Sequence, residues 1–172
     1  LADCLSRDRF KVLVYDSDNQ KSLTEVYKNS DEMDFDVTPT SPSDTNGYDY
    51  IIVDFPPTVD NLTSEHKAIL SKSDRVVSPI RASRLDLMSF KSVKTIIDNK
   101  KLISVLNAYD KRVKDQVDVH NEIAKGFITL SYASIYSRSI NSCKTIFSPS
   151  INKYHGVSKA RNEIKALAEI IK

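Results

Sequence analysis

The amino-acid sequence predicts an α/β fold: a doubly wound, mostly parallel sheet with helices on both faces. Three observations carry this. Apolar runs of strand length recur near residues 11–15, 49–53, 75–80 and 102–107, with a weaker one near 127–135. The segments between them are long enough for helices, the alternation that βαβ units produce. Val12-Leu13-Val14 and Ile51-Ile52-Val53 are continuously apolar, as strands covered on both faces are, so the sheet is expected to be central and buried.

Taken in order, Leu1-Ala2-Asp3-Cys4-Leu5-Ser6-Arg7 reads as the end of a helix. The first strand, 11–15, delivers Asp16-Ser17-Asp18-Asn19-Gln20 at its carboxyl end. Residues 31–47 are acidic and rich in turn formers, and are expected as a surface connection. The strand at 49–53 ends in Asp54, ahead of Phe55-Pro56-Pro57. Helices are expected over 63–72, 86–99, 116–125 and 157–171, where apolar residues recur at helical spacing. Thr63, opening Thr-Ser-Glu-His, and Ser83, three residues before Asp86, are the expected amino-terminal caps. At 172 residues the chain is expected to be a single domain, and it shows no internal repeat or low-complexity tract.

Composition narrows the class. A hydrophobic fraction of 40% and a charged fraction of 28% describe an ordinary globular chain. No apolar run approaches the roughly 20 residues of a membrane span, and the opening residues lack the basic and apolar regions of a secretory signal, so a cytoplasmic protein is expected. Cys4 and Cys143 are too isolated for a disulfide framework, and His66, His120 and His155 are too scattered for a metal-ligand set. The net charge of +2 conceals an asymmetry: residues 1–86 hold 10 Lys and Arg against 16 Asp and Glu, whereas 87–172 hold 15 against 7. An acidic half carrying metal-site candidates and a basic half suit a protein that binds both a magnesium nucleotide and a polyanion.

Ligands of parallel sheets bind outside the carboxyl ends of the strands, which would gather Asp16, Asp18 and Asp54 around one crevice. Clustered carboxylates there point to magnesium and nucleotide. An Asp ending a buried strand is costly unless it is hydrogen-bonded or paired with a cation. The structural alternatives are a turn cap before Pro56-Pro57 for Asp54 and an Asx turn into the next helix for Asp16 and Asp18.

The Asp-Ser-Asp-Asn-Gln turn at 16–20 and the Asp-Phe-Pro-Pro strand end at 54–57 resemble the ParA/MinD family of deviant Walker ATPases, especially its short plasmid-partition type. Lys21-Ser22-Leu23-Thr24-Glu25 is similar to the helix after that family's Asp-x-Asp-Pro-Gln turn. Ser73 to Ile80 resembles its fourth strand, Ser83-Arg84-Leu85-Asp86 its next helix start, and Val105 to Asp110 its Asn-x-x-Asp strand end. The resemblance implies the same fold, ATP and Mg2+ as cofactors, and a set of roles. Asp54 would hold magnesium through water, Asp18 would orient the attacking water, and Asp16 would support the metal. Asn107 and Asp110 would sit at the nucleotide base. Tyr136-Ser137-Arg138 and Ser142-Cys143-Lys144 resemble a late loop that touches nucleotide or partner in relatives. Arg138, Lys144, Lys153, Lys159, Arg161 and Lys165 are the candidate contacts to non-specific DNA. A centromere-binding partition partner, an ATP-dependent homodimer, filaments and association with the nucleoid are also implied.

Two departures stand out. Asn19 replaces the family's usual Pro, and no Lys-Gly-Gly-x-Gly-Lys-Thr phosphate-binding loop occurs; Gly47, Gly126 and Gly156 are far apart. Such a loop turns successive backbone N–H groups inward and adds a lysine. The expectation is that a piece carrying the first strand and this loop precedes Leu1, and ATPase activity depends on it. The alternatives are a non-hydrolysing interaction or polymerising protein of the same fold, a MinD-like membrane-associated ATPase, and a small-molecule ligase of the superfamily. The terminal helix, with Ile164, Leu167, Ala168 and Ile171 along one side, is expected to pack on its own sheet, because its apolar stripe is narrow for a membrane anchor.

Overall fold

The computed structural model describes residues 1–57 and 62–172. Among these the element order is α1 (Ala2–Arg7), β1 (Val12–Asp16), α2 (Ser22–Lys28), β2 (Asp36–Thr38), β3 (Tyr50–Asp54), α3 (Ser64–Lys72), β4 (Val76–Ile80), α4 (Arg84–Ile96), β5 (Leu102–Tyr109), α5 (Lys114–Ile123), β6 (Ile128–Ser131), α6 (Ser134–Asn141) and α7 (Val157–Ile171). All strand pairings are parallel, with helices on both sides of the sheets, the α/β arrangement expected from the sequence. The chain divides into two compact units. One holds Leu1–Pro57, Ser134–Ile170 and Lys172; the other holds 62–133 and Ile171.

In the first unit the strand order is β2-β1-β3. β1 is buried along its whole length, which its β-branched and aromatic residues favour. Leu13, Val14 and Tyr15 pair with Asp36, Val37 and Thr38 of β2. On the other side, Val12 to Asp16 pair in step with Tyr50 to Asp54 of β3. α1 buries Cys4 and Leu5, and α7 buries Val157, Ala160, Leu167 and Ala168. Lys172 then reaches Asp8 at 2.8 Å, fastening the end of α7 beside α1.

In the second unit the order is β4-β5-β6. Ala82, Leu106 and Val119 form its buried centre, with Ile80, Leu87, Phe127 and neighbours packed around them. Both expected caps are present. The Thr63 hydroxyl accepts from the His66 N–H, and the Thr63 N–H donates to His66 Nδ1, each at 3.2 Å. The Ser83 hydroxyl accepts from the Asp86 N–H at 3.1 Å.

The described strands pair three in each unit; apolar runs reveal strands but not their partners. The structure corrects three expectations. Ile51 is 44% exposed, so β3 is not covered on both faces; it lies at the end of its sheet's order, while β1 lies in the middle. The 31–47 connection contains β2, three residues whose pairing with β1 no local periodicity announces. The run near 127–135 is strand only to Ser131, and α6 begins at Ser134, burying Ile135 and Ser139.

Candidate functional site

The register of β1 and β3 places Asp16 opposite Asp54 at the carboxyl ends of adjacent parallel strands. Immediately beyond, the chain of β1 turns across the end of β3. The Ser17 N–H donates to the Asp54 carbonyl at 3.0 Å, and the Ser17 hydroxyl to the same oxygen at 2.5 Å. Asp18 then closes an Asx turn, its Oδ1 accepting from the Gln20 N–H at 3.3 Å and its carbonyl from the Lys21 N–H at 3.2 Å. The turn anticipated as the structural alternative is therefore real, and it holds Asp18 half-buried at the strand end.

Asp16 is 1% exposed. Its Oδ2 accepts two hydrogen bonds from Thr24, one from the backbone N–H at 2.8 Å and one from the hydroxyl at 2.7 Å. Its Oδ1 is buried with no hydrogen-bond partner among the described residues. A buried carboxylate oxygen left this way is costly, which fits a site that receives a cation or its water. The Asp54 pKa is raised above the ordinary carboxylate value, by partial loss of surrounding water first and then by the charges of Asp16 and Asp18. Its side chain remains open to solvent, so the carboxyl is accessible while its charge is disfavoured.

Lys21 supplies a cation at this strand end. Its backbone lies in the left-handed region, φ 51° and ψ 34°. Its Nζ donates to the Asp16 backbone carbonyl and sits 5.7 Å from the centroid of the Tyr15 ring. Among the described residues no group of three or more His, Cys, Asp or Glu could hold a metal ion through protein ligands alone. Magnesium is commonly bound by one or two carboxylates, with water and phosphate completing its octahedron. Asp54 and Asp16 fit that role, Asp16 through its unpartnered Oδ1.

In the second unit, the pairing of β5 with β6 shifts register between Leu106 and Tyr109, and Ala108 takes φ 55°. Asn107 lies in this bulge and is exposed. Bulges of this kind re-aim side chains and concentrate near binding sites. Asp110 differs: Arg112 grips its carboxylate through Nε at 2.9 Å and Nη2 at 2.6 Å. The side-chain and backbone hydrogen bonds from Arg112 hold its pKa down at about 2. Its N–H donates to Gln116 Oε1 at 2.8 Å, so Asp110 braces the turn into α5.

The six basic candidates divide. Arg138, Lys153, Lys159 and Lys165 are exposed. Arg138 and Lys153 both lie over the Tyr154 ring, at 4.7 and 5.4 Å from its centroid, and Lys159 makes a loose pair with Glu163 at 3.7 Å. Lys144 has only 16% of its side chain exposed and is paired with Asp31 and with Glu32, the latter at 3.2 Å. Arg161 donates to the carbonyls of Ile146 at 2.6 Å and Ser148 at 3.2 Å. These two cations are engaged inside their unit, in an arrangement the charge of the sequence does not reveal.

No protein-family model and no curated protein sequence matches the chain. Solved structures do. A plasmid partition protein of Borrelia burgdorferi bound to AMPPNP superposes with a TM-score of 0.73 at 16% identity, covering 97% of this chain and 90% of its own. A ParA-family ATPase from Chlorobium tepidum gives 0.65 at 15% identity, with coverages of 96% and 88%. A second Borrelia burgdorferi plasmid partition protein gives 0.61 at 15% identity, with coverages of 98% and 89%. The chain has the ParA-type fold. No helix among the described residues is long and apolar enough to cross a membrane.

Sequence reasoning selected Asp16, Asp18 and Asp54 but missed Ser17, which ties the two strand ends together, and Thr24 and Lys21, which hydrogen-bond Asp16. The signal for Thr24 was a hydroxyl in the first turn of the helix after an aspartate-rich strand end. Lys21 carried no local signal, because lysine is not a residue that marks left-handed backbone.

Proposed function

We propose that this ParA-type chain is a partition ATPase. It binds ATP with magnesium, the bound form dimerises and holds DNA without sequence preference, and hydrolysis stimulated by a centromere-bound partner releases it, so that plasmid or chromosomal DNA is segregated. The observation that carries the reading is the in-register pair Asp16 and Asp54, with Asp16 buried and one of its oxygens unpartnered. That the Borrelia burgdorferi neighbour was crystallised with AMPPNP supports a nucleotide as the ligand of this fold.

In this reading Asp54 would hold magnesium through water, Asp16 would support it, and Asp18 would orient the attacking water. Magnesium, when bound, supplies charge neutralisation of the phosphates, and the protein's part in phosphoryl transfer is positioning. Thr24 keeps Asp16 in one orientation, and Ser17 ties the two strand ends together. Asn107 is the candidate contact to a nucleotide base, and Asp110 braces the turn into α5. Exposed Arg138, Lys153, Lys159 and Lys165 make the DNA contacts, while Lys144 and Arg161 hold the fold.

Hydrolysis needs a phosphate-binding loop that these residues do not include, so the first test is binding. Equilibrium dialysis with labelled ATP, with and without magnesium, should show magnesium-dependent retention that Asp54→Asn weakens by about tenfold, the scale of one charged contact. Retention indifferent to magnesium would end the reading. A second reading is a non-hydrolysing interaction protein of the same fold, which predicts partner binding without phosphate release.

A further inference from the structure

We infer that Lys21 is a phosphate-contacting residue: its ammonium, held at the carboxyl end of β1, hydrogen-bonds the phosphate chain of the nucleotide. The inference rests on the nucleotide reading above and adds a residue to that site.

Two independent features of Lys21 lead there. The first is conformational. At φ 51° and ψ 34° its backbone is in the region that glycine enters freely and that a side chain bearing Cβ enters at a cost. Residues other than glycine held in this region cluster at ligand sites, where surrounding structure enforces the strain. A glycine would make the turn without strain, so the turn by itself does not call for lysine.

The second feature is where the side chain goes. It folds back over the strand it follows, so that Nζ donates to the Asp16 carbonyl and lies against the Tyr15 ring. The ammonium is thereby fixed beside Asp16, whose buried Oδ1 has no partner among the described residues, and one strand from Asp54. Yet Lys21 forms no ion pair within 4 Å with a carboxylate among those residues, in contrast to Lys28, Lys144 and Lys172. An ammonium has three N–H donors, and the Asp16 carbonyl takes one. The side chain is only half-buried, so an anion reaches it from solvent. Lysine serves phosphates as a compact point charge, which needs proximity more than a fixed fork geometry.

A structural role and a ligand role separate on one substitution. Lys21→Gly removes the ammonium and the backbone strain together. Magnesium-AMPPNP is titrated calorimetrically into the wild-type chain, Lys21→Gly and Lys21→Arg, with thermal melts of each. The expected result is a Lys21→Gly protein that melts within a few degrees of wild type but binds about tenfold or more weakly, with Lys21→Arg within a few-fold of wild type. Lys21→Gly binding within twofold of wild type would overturn the inference, as would an affinity loss accompanied by a collapse in melting temperature with no rescue by arginine. Failure of the wild type to bind magnesium-AMPPNP would overturn the nucleotide reading and this inference with it, whereas tight wild-type binding with undiminished Lys21→Gly binding overturns this inference alone.

Discussion

Replacing Thr24 with valine removes half of the hydrogen bonding that holds Asp16. Thr24 is 5% and Asp16 1% exposed, and both bonds from Thr24 converge on one carboxylate oxygen, at 2.8 Å from the N–H and 2.7 Å from Oγ1. Valine keeps the shape and deletes the hydroxyl, so a buried charge loses a donor that water cannot replace. Hydrogen bonds to charged groups contribute about 1.5–3 kcal/mol. In a chain of this size each kcal/mol moves the melting midpoint by roughly 2–4 °C, so Thr24→Val should melt about 3–12 °C lower. Thr24→Ser keeps the hydroxyl and loses one methyl, worth only about 0.8 kcal/mol. The measurement is thermal unfolding by circular dichroism at pH 7 without metal, repeated in an Asp16→Asn background. There the acceptor is neutral, and the cost of Thr24→Val should shrink towards about 1 kcal/mol, giving a positive coupling in the cycle. A Thr24→Val midpoint within about 1 °C of wild type, or an equal loss in both backgrounds, would refute the view that Thr24 stabilises a buried charge.

Three further outcomes follow from the geometry. Because the Asp54 pKa is raised in the folded state, its contribution to stability is present below the ordinary value of 3.8 and lost as pH rises through the folded value; Asp54→Asn should therefore be more stable than wild type at pH 7 without metal and equal to it below that ordinary value, which denaturant titrations at the two pH values check. The Asp110 carboxyl should titrate at about 2 by carbon-13 shift, and in Arg112→Ala it should return towards 3.8, since hydrogen bonds from Arg112 are what depress it. Arg161→Met should lower stability by about 1–3 kcal/mol, because it leaves the carbonyls of buried Ile146 and Ser148 without their donor, whereas Arg138→Ala should leave the melt unchanged and weaken DNA retention.

What could be read in advance followed from periodicity and local chemistry. Val12-Leu13-Val14 announced a buried strand because its apolar run admits no exposed face, and it is buried throughout. Thr63 and Ser83 were legible as caps because a hydroxyl three residues before a backbone N–H needs only local geometry. β2 was hidden because Asp36-Val37-Thr38 owes its conformation to a strand some 23 residues away. The exposure of Ile51 was hidden for a related reason: an apolar residue is read as buried until its strand's place in the sheet is known. At the site, carboxylates at strand ends were visible, but the residues that orient them were not, because Thr24 and Ser17 act by folding back onto Asp16 and Asp54.

The basic half of the chain shows the same limit with a measurable consequence. Six cations near the carboxyl end look equivalent in sequence, and if all met phosphate, the salt dependence of DNA binding would have a log–log slope of about −5 per protomer at roughly 0.9 per contact. The structure divides them by environment. Lys144 is held between Asp31 and Glu32, and Arg161 satisfies two backbone carbonyls in a buried segment, so each presents its charge to a polyanion only by giving up those contacts. Four remain, giving a slope nearer −3.6 on the same basis. Of these, Arg138 and Lys153 are the strongest pair, because the shared Tyr154 ring fixes two charges side by side and lowers the conformational entropy lost when phosphate binds. On the partition reading proposed above, the net charge of the carboxyl-terminal half overstates its capacity for DNA, and two of the four remaining cations share one tyrosine.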